Sequence, residues 1–287
     1  MIASLLFFLF LQAPVDQPSL QKVREAIVSS SPEDLPLLFD KLAESDEISE
    51  KDVEVLLSFL GDQRPVIKTP LISDNVRVSR FASEALVEVG ELAVPKLIAV
   101  LKESKEIDIR IIALSTLSKI SKPSDLAQRT VESLISTSHD NPYLLESAIY
   151  ALGPSSPDIE RAIETLVQVP NNSSFIIRIA VARTLGDIGL GSPESRKKLL
   201  ELTKDKNNRV QRNAVESLAR VASKNDLDVV ARLRELHNST SQFKLRSAAF
   251  DAIKQIEVRA DKAKVPESEN ETDGLGPKNS GKTKEFN

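Results

Sequence analysis

Asn207-Asn208-Arg209-Val210-Gln211-Arg212-Asn213-Ala214-Val215-Glu216-Ser217-Leu218-Ala219-Arg220-Val221 is the stretch from which the fold can be read. Apolar Val210, small Ala214, apolar Leu218 and apolar Val221 fall at i, i+4, i+8 and i+11, which draws one stripe down an α-helix. The same stripe recurs as Val78-Ala82-Leu86, Ile109-Ala113-Leu117, Leu144-Ala148-Leu152, Ile177-Val181-Leu185 and Leu245-Ala249-Ile253. Successive copies start 31, 35, 33, 33 and 35 residues apart. Val89, Ile120, Ile188 and Ile256 extend four of these five as Val221 does; in the third copy Ser155 replaces the apolar residue and Glu146 lies near its start. A period of roughly 33 residues is the length of one helix pair in a stacked array. The expected fold class is all-α: an α-solenoid of stacked antiparallel helix pairs.

Working outward, each stripe helix is followed by a second helix. Pro marks several starts, as Val94-Pro95, Ser156-Pro157 and Ser192-Pro193, the last two read as N-cap and first-turn Pro. The second-helix stripes are Val94, Leu97, Ile98 and Leu101, then Leu126, Thr130 and Leu134, then Ile159, Ile163 and Leu166. Gly90 and Gly189 stand where first helices end. Upstream, helices are expected over about 20–28, 33–44 and 52–60, with Ser31-Pro32 as the start of the second. The organisation predicted is a signal-like segment over 1–16, divergent cap helices and a long loop over 17–75, repeats over 76–260, and a disordered tail over 261–287. The loop from Gly61 to Asn75 exceeds the usual helix–helix link and reads as packed on the cap or as a partner-binding loop.

Val94-Pro95-Lys96-Leu97-Ile98-Ala99-Val100-Leu101, following Phe81-Ala82-Ser83-Glu84-Ala85-Leu86 and Gly90, resembles a HEAT repeat of the short type found in phycobiliprotein-lyase-like HEAT proteins. Ile177-Arg178, Val181-Ala182, Leu185-Gly186 and Ile188-Gly189 are similar, and the acidic or Asn residue and Arg of such repeats appear as Asp108/Arg110 and Asn207/Arg209. The resemblance implies an armadillo-like interaction scaffold. By the family name it also raises a bilin lyase-like subunit, and by analogy with HEAT-like alkylpurine DNA glycosylases a nucleic-acid binder.

Composition narrows these readings. The 287 residues are 41% hydrophobic and 28% charged, enough for a continuous core. There is no Cys, so no disulfide, thiolate nucleophile or cysteine metal site exists. His139 and His237 lie about a hundred residues apart and form no metal-ligand pair. No catalytic residue, metal site or cofactor is assigned, and the chain reads as a non-enzyme. The net charge of −4 divides unevenly: 15 basic and 24 acidic residues over 17–160, but 17 basic and 10 acidic over 176–259. That basic end is either a set of solvated helix faces or a surface for an anionic partner. The negative total, the missing Trp and the 4% aromatic content argue against a nucleic acid.

The chain is therefore expected to be a protein-binding module whose second helices line a concave face. Arg196, Lys197, Lys198, Arg232 and Arg234 are its expected partner-binding residues. Arg110, Arg178, Arg209 and Arg246, at first-helix starts, are expected to pair with acidic or carbonyl groups of the neighbouring repeat rather than to bind ligand.

Two terminal motifs remain. The run Ile2 to Leu11 is too short to span a bilayer, which takes about 20 residues. It suits the core of a secretory signal with Ala13 at the cleavage site, although no Lys or Arg precedes it; the competing reading is a buried first helix. The first reading makes the chain periplasmic or secreted without a stable membrane span, the second cytoplasmic. Gly276-Pro277-Lys278-Asn279-Ser280-Gly281-Lys282-Thr283 matches the P-loop pattern by letter. It follows an acidic segment instead of a strand and precedes only four residues, so it reads as coincidence.

Overall fold

The computed structural model describes residues 20–66, 76–120, 124–137, 141–171 and 173–262. The segment at 1–16, the tail from 263 with its P-loop-like run, His139 and most of the 61–75 loop lie outside the described residues.

Among the described residues the chain is helical and contains no strand; a single bridge pairs Pro65 with Arg77. A short lead-in helix, α1 (Leu20–Ser29), packs on α2 (Leu35–Ala43). Antiparallel pairs follow: α2 with α3 (Glu50–Ser58), α4 (Val78–Val89) with α5 (Val94–Glu103), and α6 (Ile107–Leu117) with α7 (Asp125–Thr137). Next come α8 (Pro142–Ala151) with α9 (Ile159–Val167), α10 (Phe175–Ile188) with α11 (Pro193–Leu202), and α12 (Asn208–Val221) with α13 (Leu227–Ser239). The array ends on α14 (Phe243–Lys262), which runs slightly beyond the repeat limit expected from the stripe.

First helices stack on first helices, from α2 through α4, α6, α8, α10 and α12 to α14, and second helices form the other layer. The small residue of each stripe makes this possible. Ala82, Ala113, Ala148, Ala214 and Ala249 are wholly buried, and Leu86, Leu144, Leu185 and Leu218 pack beside them in one continuous core. A methyl group lets helix axes approach where a larger side chain would hold them apart. One close approach is α10 on α12: a Cβ added to Gly186 would sit 2.6 Å from the Ser217 Cβ.

Side-chain caps set several helix starts. Asn141 accepts from the backbone N–H groups of Tyr143 and Leu144, Ser192 from Ser195, and Asn207 from Arg209. Each satisfies donors the first helical turn leaves open. The first helices α4 and α10 end before Gly90 and Gly189 as expected. Of these two, Gly90 alone uses the left-handed region, at φ 70°, from which a 3₁₀ turn leads into α5.

Four local expectations are corrected. Ser31-Pro32 opens a turn closed by the Asp34 N–H on the Ser31 carbonyl, and α2 starts at Leu35 with Asp34 as its N-cap. Ser156-Pro157 precedes the true cap of α9, Asp158, whose side chain accepts from the Arg161 N–H. Leu126 is exposed, because α7 turns Gln128, Val131, Leu134 and Ile135 to the core instead. Lys198, expected on a partner face, is buried.

Candidate functional site

The five basic side chains expected to meet a partner sit on α11 and α13, and the fold has already used three of them. Arg196 pairs with Asp226 at 3.0 Å across the two helices. Arg232 donates to the Thr203 hydroxyl at 3.0 Å and the Thr203 carbonyl at 3.1 Å, and pairs with Glu235 at 2.8 Å. Lys198 donates to the Val169 carbonyl at 2.8 Å. Burial pushes its ammonium pKa down, partly offset by Glu201. The inward face of α11 is Ser195, Lys198, Leu199 and Leu202, at i, i+3, i+4 and i+7, so the helical period itself places Lys198 inside. Lys197 and Arg234 remain exposed. The structure brings Arg196 and Lys197 together with Lys204, Asp226 and Asp228 around a groove of about 310 Å³.

Of the four arginines at first-helix starts, Arg178 and Arg110 pair with the neighbouring repeat as expected, and Arg209 and Arg246 do not. Arg178 and Asp205 form an ion pair between α10 and the α11–α12 loop at 2.5 and 2.8 Å, with side chains only 6% and 8% exposed. Arg178 also donates to the Ser173 carbonyl. Burial would raise the Asp205 pKa, but the Arg178 guanidinium and the Asn207 backbone N–H outweigh it and hold the carboxyl below its ordinary value. Arg110 donates to the Leu101 carbonyl at 2.9 Å. Arg209 instead lies over the Phe175 ring, 5.9 Å from its centroid. For Arg246 the contact is with its backbone: its carbonyl faces His237 Nδ1 at 3.4 Å.

A larger opening lies elsewhere. Where α7 ends, α8 begins, α9 ends and α10 begins, a cleft of about 1220 Å³ opens at the edge of the array. Its apolar floor is Ile135, Leu145, Val169 and Ile177, all buried beneath it. Glu164 and Thr165 of α9 and its C-cap Gln168 supply a polar wall. Along the same edge the N-terminal turns of the first helices α8, α10 and α14 expose Tyr143 (62%), Phe175 (37%) and Phe243 (72%). Between Phe175 and Phe243 stands Arg209, and Gln242 donates to the Asn208 side chain at 2.9 Å, tying α12 to α14 at this edge.

Sequence reasoning missed this place. The available signal was a lapse in the repeat. The third copy begins with a proline at 142, an exposed tyrosine at 143 and Glu146, and its first helix lasts ten residues against fourteen in α10 and α12. Glu146 is half-buried, and burial raises its pKa against the opposing pull of Arg183.

The cleft lies inside the part of the chain that matches a family model for HEAT repeats, over residues 129–219 and 163–254. This region consists of HEAT repeats. Among solved structures, the chain is similar in fold to one of Kap95p with RanGDP, with a TM-score of 0.53 and 12% identity over 90% of this chain and 40% of that one. An engineered protein matches at 0.46 and 19%, covering 78% of this chain and 97% of its own. The complex of CpcE and CpcF of phycocyanin lyase from Nostoc sp. matches at 0.39 and 17%, covering 85% and 97%. No curated protein matches the chain in sequence. At such identities the likeness concerns the HEAT and armadillo-like fold.

Among the described residues no three His, Asp or Glu side chains are grouped to hold a metal, and no helix is long and apolar enough to cross a membrane. His237 stacks at 5.4 Å on Phe250.

Proposed function

We propose that the chain is a non-enzymatic interaction scaffold whose HEAT repeats hold a protein partner along the helix edge between α8 and α14. One observation carries the reading: a chain with only 4% aromatic residues exposes Tyr143, Phe175 and Phe243 at helix starts along the edge that also holds a cleft of about 1220 Å³. Aromatic and arginine side chains dominate the binding energy of protein interfaces, so exposing them here costs solvation that a partner would recover.

The second-helix face supports a smaller role. Arg196, Lys198 and Arg232 are committed to Asp226, Val169 and Thr203, which leaves Lys197 and Arg234 to contribute long-range attraction. The same bookkeeping weakens the nucleic-acid alternative, since Arg178 and Arg220 are also paired, with Asp205 and Asp187.

Site-specific photo-crosslinking in the native host tests the proposal. A photoreactive residue in place of Tyr143 or Phe175 should give a discrete adduct with another polypeptide, absent when the residue replaces exposed Leu37 at the far end. Equal background at all positions, or adducts only with nucleic acid, would overturn it. Export is part of the same reading: the native protein should begin after Ala13, and N-terminal sequencing that returns Met1 would make it a cytoplasmic scaffold.

A further inference from the structure

We infer that the edge from α8 to α14 takes an extended acidic peptide segment of its partner, with one large apolar side chain seated in the cleft. The inference rests on the scaffold reading and adds the chemistry of what is bound.

The geometry is graded along the edge. At one end the cleft presents an apolar floor of Ile135, Leu145, Val169 and Ile177, with Tyr143 standing exposed at its α8 side. Phe175 is the hinge of the arrangement: its neighbours Ser174 and Ile177 line the cleft, while its ring carries the Arg209 guanidinium at 5.9 Å. Beyond Arg209 the edge exposes Lys206, then Phe243, Lys244 and Arg246. Among the described residues the acidic groups nearby are Asp205, already bound to Arg178, Glu164 on the far wall of the cleft, and Glu216 and Asp251, which share a groove with Phe243 and Lys244 and of which Glu216 is paired with Arg212. Positive charge therefore lies on the α12–α14 side of the apolar hole, and a cation stacked on an aromatic ring still attracts a carboxylate at its outer edge.

Size fits an extended segment. Packed helix axes are about 8–10 Å apart, so the three intervals from α8 to α14 span about 25–30 Å. A strand-like peptide covers that distance in about eight or nine residues. Glu164 beside the apolar floor disfavours a phosphate there and suits an uncharged side chain, which is why a peptide with one anchor and an acidic flank fits better than a nucleic-acid strand.

A random-peptide display selection against the full chain tests this. The expected winners carry one large apolar residue with Asp or Glu within the next several positions. Fluorescein-labelled winners, read by anisotropy, should bind at least tenfold more weakly to Phe175→Ala and to Arg209→Glu, while far-UV circular dichroism and Tm stay unchanged. In the Arg209→Glu chain the selection should turn toward Lys- or Arg-flanked peptides, a reversal that structural damage cannot produce. Failure to enrich, enrichment of neutral or basic peptides on the unaltered chain, or labelled oligo-dT displacing the winners with equal affinity would overturn the inference. A polypeptide adduct at Phe175 combined with neutral or basic winners would overturn this inference and leave the scaffold reading standing; absence of any edge adduct would remove the scaffold reading itself.

Discussion

The stack of α10 on α12 and the joint around α8 are built from the same repeat and behave as opposites. In α10, ten of fourteen residues are buried, Arg178 included, whereas α8 buries Leu144, Leu145, Ala148 and Ile149 out of ten. Gly186 and Gly153 show where they diverge. Each lies five residues after the small stripe position, at Val181 and Ala148 respectively. Gly186 is inside its helix and pressed on Ser217. Gly153 falls past the end of α8, in a turn, where an added Cβ would meet only the Tyr150 carbonyl at 3.2 Å. One helix uses its small residue to close the layer, and the other stops before it can. The short α8 thus ends in an open turn around Gly153, and at its opposite end Pro142 and Leu145 line the edge cleft.

The comparison breaks first at Arg178. Arg178→Ala leaves Asp205 buried without its cation and should cost about 3–5 kcal/mol in urea denaturation. A loss under about 1 kcal/mol would show that the α10–α12 junction does not depend on that pair. Replacing both partners by apolar residues should cost far less than the single substitution.

Next in size are the glycines. Gly186→Ala should destabilise by about 1–3 kcal/mol, because Ser217 and Arg220 must move, and Ala214→Leu at the same layer should fall in that range. Gly153→Ala should stay within about 0.5 kcal/mol. Equal effects at 153 and 186 would erase the distinction between the two regions.

The smallest effect is acid sensitivity at the closed N-terminal end, which sharpens the contrast with the open joint. Asp52 is wholly buried; burial would raise its pKa, but Arg24, at 2.5 and 2.7 Å, and the Ser49 hydroxyl and N–H lower it to about 2. A depressed carboxyl stabilises the fold above its unfolded pKa near 4 and loses that contribution as pH falls through the folded value. Between pH 4 and 2 the unaltered chain should lose about 1–2 kcal/mol through this group, discounted for the exposure of Arg24. Asp52→Asn should remove that part of the slope and lower stability at neutral pH. An unchanged slope would mean the pair is already broken in solution.

Much of this molecule was legible in its chain, for physical reasons that also mark the limits. Stripes such as Val210-Ala214-Leu218 were readable because a buried helix face must repeat every 3.6 residues. Ser192-Pro193 was readable because a cap and the helix it starts are neighbours in sequence. Ser31-Pro32 misled because the same residue types also open turns. Leu126 misled because a three-residue stripe leaves the phase of a helix undetermined. Lys198 could have been placed by the period of α11, but its aliphatic stem runs inward to a carbonyl contributed by the α9–α10 connection, a tertiary partner no local pattern names. The edge cleft was hidden for the same reason: its floor comes from four segments between residues 135 and 177 that meet only in the stack.

Amide hydrogen exchange on the full chain, with and without an acidic display-selected peptide, tests the central claim most directly. Binding at the edge predicts slowed exchange in the first turns of α8, α10 and α12 and in the connection around Val169 and Pro170, with α11 and α13 unchanged on their outer faces. Protection confined to α11 and α13, around Lys197 and Arg234, would contradict the account and return the partner to the second-helix face.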